Sequence, residues 1–247
     1  MSVMRKLVVV ETKLLTRDWG TIVFGLLFPA ALLVGLTLVF PGFTDPNPDL
    51  GGGRLIDIYT PIMLIFVFAM VGISSLSSNI ATYRQDGVLR RLRTTPVGPS
   101  RLLLAHLVAQ LTIALLGVAL AVTVALVALD VPAPTSWPSL VLSVVLAAAT
   151  VFAIGLLVGA VSSSTSTSQA ISTFVWLPVM VLAGLWFPRE VMPAGMQRVS
   201  DLSPGGAAVD AVQQAWFGTG APASSLAIMI GFAVVTTIVA ARFFRWD

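Results

Sequence analysis

Few side chains in this sequence can do chemistry, and they do not assemble into a catalytic set. His106 is the only histidine and cysteine is absent. A thiolate nucleophile, a disulfide framework and a Cys-based zinc site are thereby excluded, and no His-Glu-x-x-His pair exists to hold a metal. Serine and threonine are plentiful, but without a basic partner their hydroxyls are not nucleophiles. His106 lies about a turn and a half of helix beyond Arg101, where a satisfied or snorkelling residue near a membrane interface is expected rather than a proton relay. No Gly-x-x-x-x-Gly-Lys-[Ser/Thr] loop is present to cradle phosphates. Two groups of residues remain. One is the arginine-rich run Arg84 to Pro96. The other is a set of aromatic, Met and small polar side chains: Phe66, Phe68, Met70, Phe174, Trp176 and Met180, with Ser74, Ser75 and Asn79. A cavity lined by these would suit an amphiphilic or lipid-like molecule and would suit a charged polysaccharide poorly. The same stripe is also what ordinary helix packing looks like.

The elements that must position these residues follow from composition. Of 247 residues, 57% are hydrophobic and 10% charged, against about 25% charged in a soluble domain. So few charges cannot cover a surface in water, and the apolar runs have the roughly 20-residue length of a helix crossing a bilayer core. The expected fold is an all-α integral membrane domain spanning 1–247 with six transmembrane helices, at 21–40, 55–80, 102–129, 137–161, 169–187 and 223–241. Pro29, Pro61 and Pro178 are candidate kinks. The uncharged stretch 162–168 reads as a tight polar turn.

Eleven of the fourteen Lys and Arg fall in the N-terminal segment, the 84–101 loop and the C-terminus, whereas only Arg54, Arg189 and Arg198 fall on the opposite side, with seven of the eleven acidic residues. The positive-inside rule then puts both termini in the cytoplasm of a multi-pass protein of the cell (inner or plasma) membrane. The net charge of +3 is absorbed by this asymmetry, so nucleic acid is not an expected partner. Apolar and charged residues are interleaved up to Asp18, unlike a cleavable signal. Residues 1–19 instead read as an interfacial amphipathic helix, with Val3, Leu7, Val10 and Leu14 at helical spacing and Met4, Val8 and Leu15 beside them.

Between the second and third spans, 84–96 reads as a short helix. Val88, Leu89 and Leu92 form a small apolar face, Arg90, Arg91 and Arg93 flank it, and Pro96 ends it. Such a helix could dock on a soluble partner, or its arginines could serve topology alone. Between the fifth and sixth spans, 188–222 is too apolar for an ordinary loop and too broken for a span. Ala208, Val209, Val212 and Trp216 share one helical face there, as an external re-entrant hairpin requires.

The run Asp86-Gly87-Val88-Leu89-Arg90-Arg91-Leu92-Arg93-Thr94-Thr95-Pro96-Val97 resembles the cytoplasmic segment after the second span of ABC-2-type exporter permeases, in particular the daunorubicin-exporter-like branch of drug and antibiotic resistance. The family usually has Glu where this chain has Asp86, which keeps the charge. Gly184-Leu185-Trp186-Phe187-Pro188 through Trp216 is similar to the family's external element. The resemblance covers essentially the whole chain. It implies a permease subunit, not itself an enzyme, working as a dimer with a second permease, either a second copy or a homologous chain. It also implies two copies of a separate ATP-binding cassette ATPase, which would carry ATP and Mg while this chain carries no cofactor. Asp86, Gly87, Leu89, Arg90, Leu92 and Pro96 would couple to that ATPase. The implied cargo is a hydrophobic or amphiphilic small molecule moved outward, along a path that would include Phe66, Met70, Asn79, Phe174, Trp176 and Met180. A channel or a non-transporting membrane scaffold is the competing expectation.

Overall fold

A computed structural model of the chain describes residues 3–48, 52–92 and 98–244, and every regular element among them is helical. The helices are α1 (Val3–Leu15), α2 (Trp19–Val39), α3 (Leu55–Gln85), α4 (Val88–Leu92), α5 (Pro99–Ala128), α6 (Trp137–Val161), α7 (Thr165–Leu182), α8 (Ala194–Asp201), α9 (Pro204–Phe217) and α10 (Ala223–Phe243). Five of them, α2, α3, α5, α6 and α10, are long and apolar enough to cross a membrane. Of the six expected spans, the remaining one corresponds to α7. It has 18 residues, and its first turns, Thr165-Ser166-Thr167-Ser168-Gln169, are polar.

The central element is α3. The apolar window of α3 is 78% buried, against 22% for α2 and 17% for α10, so α2 and α10 present much of their apolar surface outward. Helix packing here rests on small residues and hydroxyls, as it must where neighbouring lipid is as apolar as the side chains. Pro29 lacks the N–H that would reach back to the Gly25 carbonyl, and the preceding turn, Val23–Leu27, is a π-helix. The Gly25 carbonyl faces Gly117 of α5, where a Cβ would lie 2.2 Å from it. In the same way α3 opens into a π-helix over Ala69–Leu76, and the Gly72 carbonyl faces Gly155 of α6, where a Cβ would lie 1.9 Å away. The two π segments lie against each other. Hydroxyls bond across the other crossings: Ser77 with Ser172 at 2.8 Å, Thr150 donating to the Met229 carbonyl at 2.9 Å and Ser143 to that of Ala211 at 3.2 Å.

The span boundaries that differ most from the expected ones are three. The second span does not stop at 80 but continues as helix to Gln85, because the polar Asn79–Gln85 end loses hydropathy without losing its backbone bonds. The 162–168 stretch is a turn only to Ser164, whose hydroxyl accepts from the Thr167 N–H and caps a helix that begins at Thr165. That helix ends at Leu182 rather than 187, where Gly184 at φ +92° turns the chain. In α1 the apolar residues divide between two sides. Val10 and Leu14 are exposed, and the bundle-facing stripe runs through Leu7, Glu11 and Leu15.

Helices α8 and α9 follow α7. Ser203 caps α9 by accepting from the Gly206 N–H, with Pro204 in the first turn. Ala208, Val209, Val212 and Trp216 lie on its buried face, and Trp216 donates its indole N–H to the Pro132 carbonyl at 2.8 Å.

Candidate functional site

At the basic end of the bundle, α3 leads into α4 through a two-residue turn. Asp86 caps α3 with its N–H on the Thr82 carbonyl, and Gly87 follows at φ +68° with its N–H on the Arg84 carbonyl. A left-handed residue ending a helix in this way is usually glycine, since a Cβ would strain it. The five-residue α4 then runs Val88–Leu92, with Asp86, Arg90 and Arg91 exposed, Leu92 half-buried and Leu89 buried. The expected apolar face is therefore turned inward, and the surface offered outward is charged. Arg93 and Pro96 lie outside the described residues.

Beside this turn lies a buried chain of polar groups. Tyr83 Oη donates to Glu11 Oε2 at 2.7 Å, and the same oxygen is 2.8 Å from His106 Nδ1. Gln110 Nε2 lies 3.4 Å from His106 Nε2 and donates to Ser75 Oγ at 3.0 Å. Ser75 Oγ also lies 2.9 Å from Thr21 Oγ1, which donates to Asp18 Oδ2 at 2.7 Å. Helices α1, α2, α3 and α5 are thus tied by one hydrogen-bonded series. Glu11, His106 and Gln110 are all buried, and Gln110 Oε1 is without a hydrogen-bond partner. The two N–H groups of the Gln110 amide face Ser75 Oγ and His106 Nε2, and the other ring nitrogen of His106 faces Glu11.

The series opens into a polar cavity of about 280 Å³ lined by Asp18, Thr21, Phe24, Met70, Ser75 and Asn79 together with Gln169 from the start of α7. Both π segments contribute walls, as helical irregularities often do at functional sites. Toward the other end of α2 lies a larger cavity of about 710 Å³, lined by Phe28, Tyr59, Met63, Phe66, Trp176 and Trp186 among others. Five rings connect the two. Centroid separations are 5.5 Å for Phe24–Phe28, 5.8 Å for Phe28–Phe66, 5.9 Å for Phe66–Trp176 and 5.9 Å for Trp176–Trp186.

Of the residues expected on a path, Phe66 and Trp176 line the aromatic cavity, and Met70 and Asn79 line the polar one. Phe174 lines neither and is 82% exposed, while Met180 is fully buried in the core. Sequence reasoning missed Phe24, Phe28, Tyr59 and Trp186, although Phe24/Phe28 and Tyr59/Met63/Phe66 recur at helical spacing. It also missed Glu11, whose only signal was a carboxylate placed on the stripe that includes Leu7 and Leu15.

The geometry describes a multi-helix domain with cavities between its helices and a charged turn at one end, and comparison with known proteins agrees. The chain is 25% identical over 207 residues, 83% of its length and 81% of the relative's, to a protein of Bacillus subtilis (strain 168) named "Putative transport permease YvfS". Residues 43–242 match the family described as ABC-2 family transporter protein, and the chain belongs to that family of ABC transporter membrane permeases.

Proposed function

We propose that this chain is the permease subunit of an ATP-driven exporter that moves a hydrophobic or amphiphilic small molecule, a drug, antibiotic or lipid-like compound, out of the cell. The observation that carries the reading is the aromatic cavity of about 710 Å³ inside a domain whose family match covers residues 43–242. Such a cavity has the size and apolar lining of a small-molecule site. ATP and Mg would be held by two copies of a separate ATPase, since no phosphate loop exists in this chain.

In this reading α7 is the sixth span. Its 18 residues reach about 27 Å, close to the bilayer core. The end bearing α1 and α4 is cytoplasmic, and α8 and α9 form the external hairpin. A second permease covers the outward stripe of α7, where Ser166, Gln169, Thr173, Phe174 and Leu177 are exposed. The Gln169 amide would be costly against lipid and is better placed against a partner helix. The ATPase engages the exposed Asp86, Arg90 and Arg91, with Gly87, Leu92 and the following segment to Pro96. Leu89 roots the turn in the bundle, so that a push on α4 reaches α3 and α5.

The test is to purify the tagged chain from its native membrane in mild detergent, identify soluble partners and assay Mg-ATP hydrolysis. A copurifying ATPase that is lost when residues 84–96 are scrambled supports the reading. A chain that runs without a nucleotide-dependent partner under several conditions sinks it.

A further inference from the structure

We propose that the two cavities form one recognition path for an amphiphilic organic cation, with its apolar body along the Phe24–Phe28–Phe66–Trp176–Trp186 rings and its positive charge received at Asp18. The inference deepens the reading of this chain as an amphiphile permease and rests on it.

The sign of the charge follows from what lines the path. Asp18 is the one ionisable carboxylate of the polar cavity, and neither cavity is lined by Lys, Arg or His. Arg17, its neighbour in sequence, does not line the cavity. Asp18 makes no ion pair among the described residues. Its oxygens accept only from the Gly20 N–H at 3.0 Å and the Thr21 hydroxyl at 2.7 Å. Two neutral donors leave free lone pairs on an exposed carboxylate that lines the cavity. An anionic amphiphile would be repelled by a carboxylate there, which the start of α2 offsets only in part, whereas an ammonium or phosphonium group is attracted.

The ring series continues the preference. Phe24 lines the polar cavity, and Phe28, Phe66, Trp176 and Trp186 line the aromatic one. Successive ring planes are turned by 55°, 34°, 81° and 90°, so they do not seal one another as a flat stack would. Aromatic faces attract cations within about 6 Å of a ring centroid. A delocalised or alkylated cation therefore has favourable surface from the Asp18 end to Trp186, whereas a strongly hydrated inorganic ion does not.

The test uses the purified chain in nanodiscs of zwitterionic lipid, with tetraphenylphosphonium as the cationic probe and triphenylphosphine oxide as a neutral one of related shape. Asp18→Asn removes the charge and keeps a good helix cap. Wild type should bind both probes. Asp18→Asn should weaken the phosphonium about tenfold and leave the phosphine oxide unchanged. Phe28→Ala should weaken both. If Asp18→Asn binds the phosphonium as wild type does, or loses both probes equally, recognition of the charge is overturned while the amphiphile reading stands. If wild type binds neither probe, the ring series is not an amphiphile path and the proposal falls. Copurification of an ATPase, measured separately, decides whether the permease reading falls with it.

Discussion

At the scale of single residues, the buried carboxylate of Glu11 carries the strongest constraint. It sits on the face of α1 that packs against the bundle and is 3% exposed. A buried charge is tolerated only when hydrogen-bonded, and Tyr83 Oη and His106 Nδ1 provide those bonds. Glu11→Ala strands both partners and should cost about 1–3 kcal/mol. Tyr83→Phe removes one donor and should cost about 1 kcal/mol. Thermal unfolding of the purified variants checks the order, and hydrogen exchange should show α1 loosening in Glu11→Ala first. Equal stability of wild type and Glu11→Ala would remove the node's structural role. Part of this node was legible in the sequence. A lone histidine in a membrane helix next to a basic loop reads as a satisfied group, which His106 is. Its partner was not legible, because Glu11 is 95 positions away and nothing in a single helix says which side of Leu7 and Leu15 meets the bundle.

At the scale of elements, glycines at helix crossings set the contact distances. A methyl group on Gly155 would lie 1.9 Å from the backbone oxygen of Gly72, an atom that cannot rotate away, whereas one on Gly35 would meet nothing within 4 Å. Gly155→Ala should therefore destabilise the fold by about 1–3 kcal/mol through forced separation of α3 and α6. Gly35→Ala, on the outer part of α2, should be neutral or slightly stabilising. Unfolding temperatures of the two variants test the contrast. The turn at α4 makes a different prediction, resting on the proposed coupling. Exchanging Arg90 and Arg91 for Glu alters exposed charge and the bond from Arg91 to the Asp86 carbonyl at 3.2 Å but no buried apolar contact, so membrane insertion and folding should persist while an associated ATPase is lost. Leu89→Asp buries a charge and should damage the fold itself. Copurification and size-exclusion profiles separate the two outcomes, and retention of the ATPase by the double Glu variant would remove α4 from the interface. The apolar Val88, Leu89 and Leu92 were legible as one face of a short helix. That this face turns inward was not, since periodicity reports amphipathicity but not whether a partner or the chain itself covers it.

At the scale of the whole molecule, the decisive element is α7. Five helices have the length and hydropathy of a span, and all five were legible in the sequence together with most of α7. The beginning of α7 was obscured because serine and threonine lower hydropathy without breaking a helix, their hydroxyls bonding to neighbouring groups instead. Ser172 is buried and donates to the Ile73 carbonyl at 2.9 Å. The consequence for topology is large. If α7 crosses the membrane, α1, α4 and the C-terminal end of α10 share one side. If it does not, the two termini are on opposite sides and the charge asymmetry no longer describes one cytoplasmic face. The absence of cysteine makes the question directly measurable, because any introduced thiol is unique. Ser163, exposed just before α7, and Gly195, where an added side chain meets nothing within 4 Å, bracket the helix. In intact cells a membrane-impermeant maleimide should label Gly195→Cys and spare Ser163→Cys, with both labelled after permeabilisation. Labelling of both positions in intact cells would place the ends of α7 on one external face and refute the six-span arrangement. Protection of both would place them inside and refute it equally.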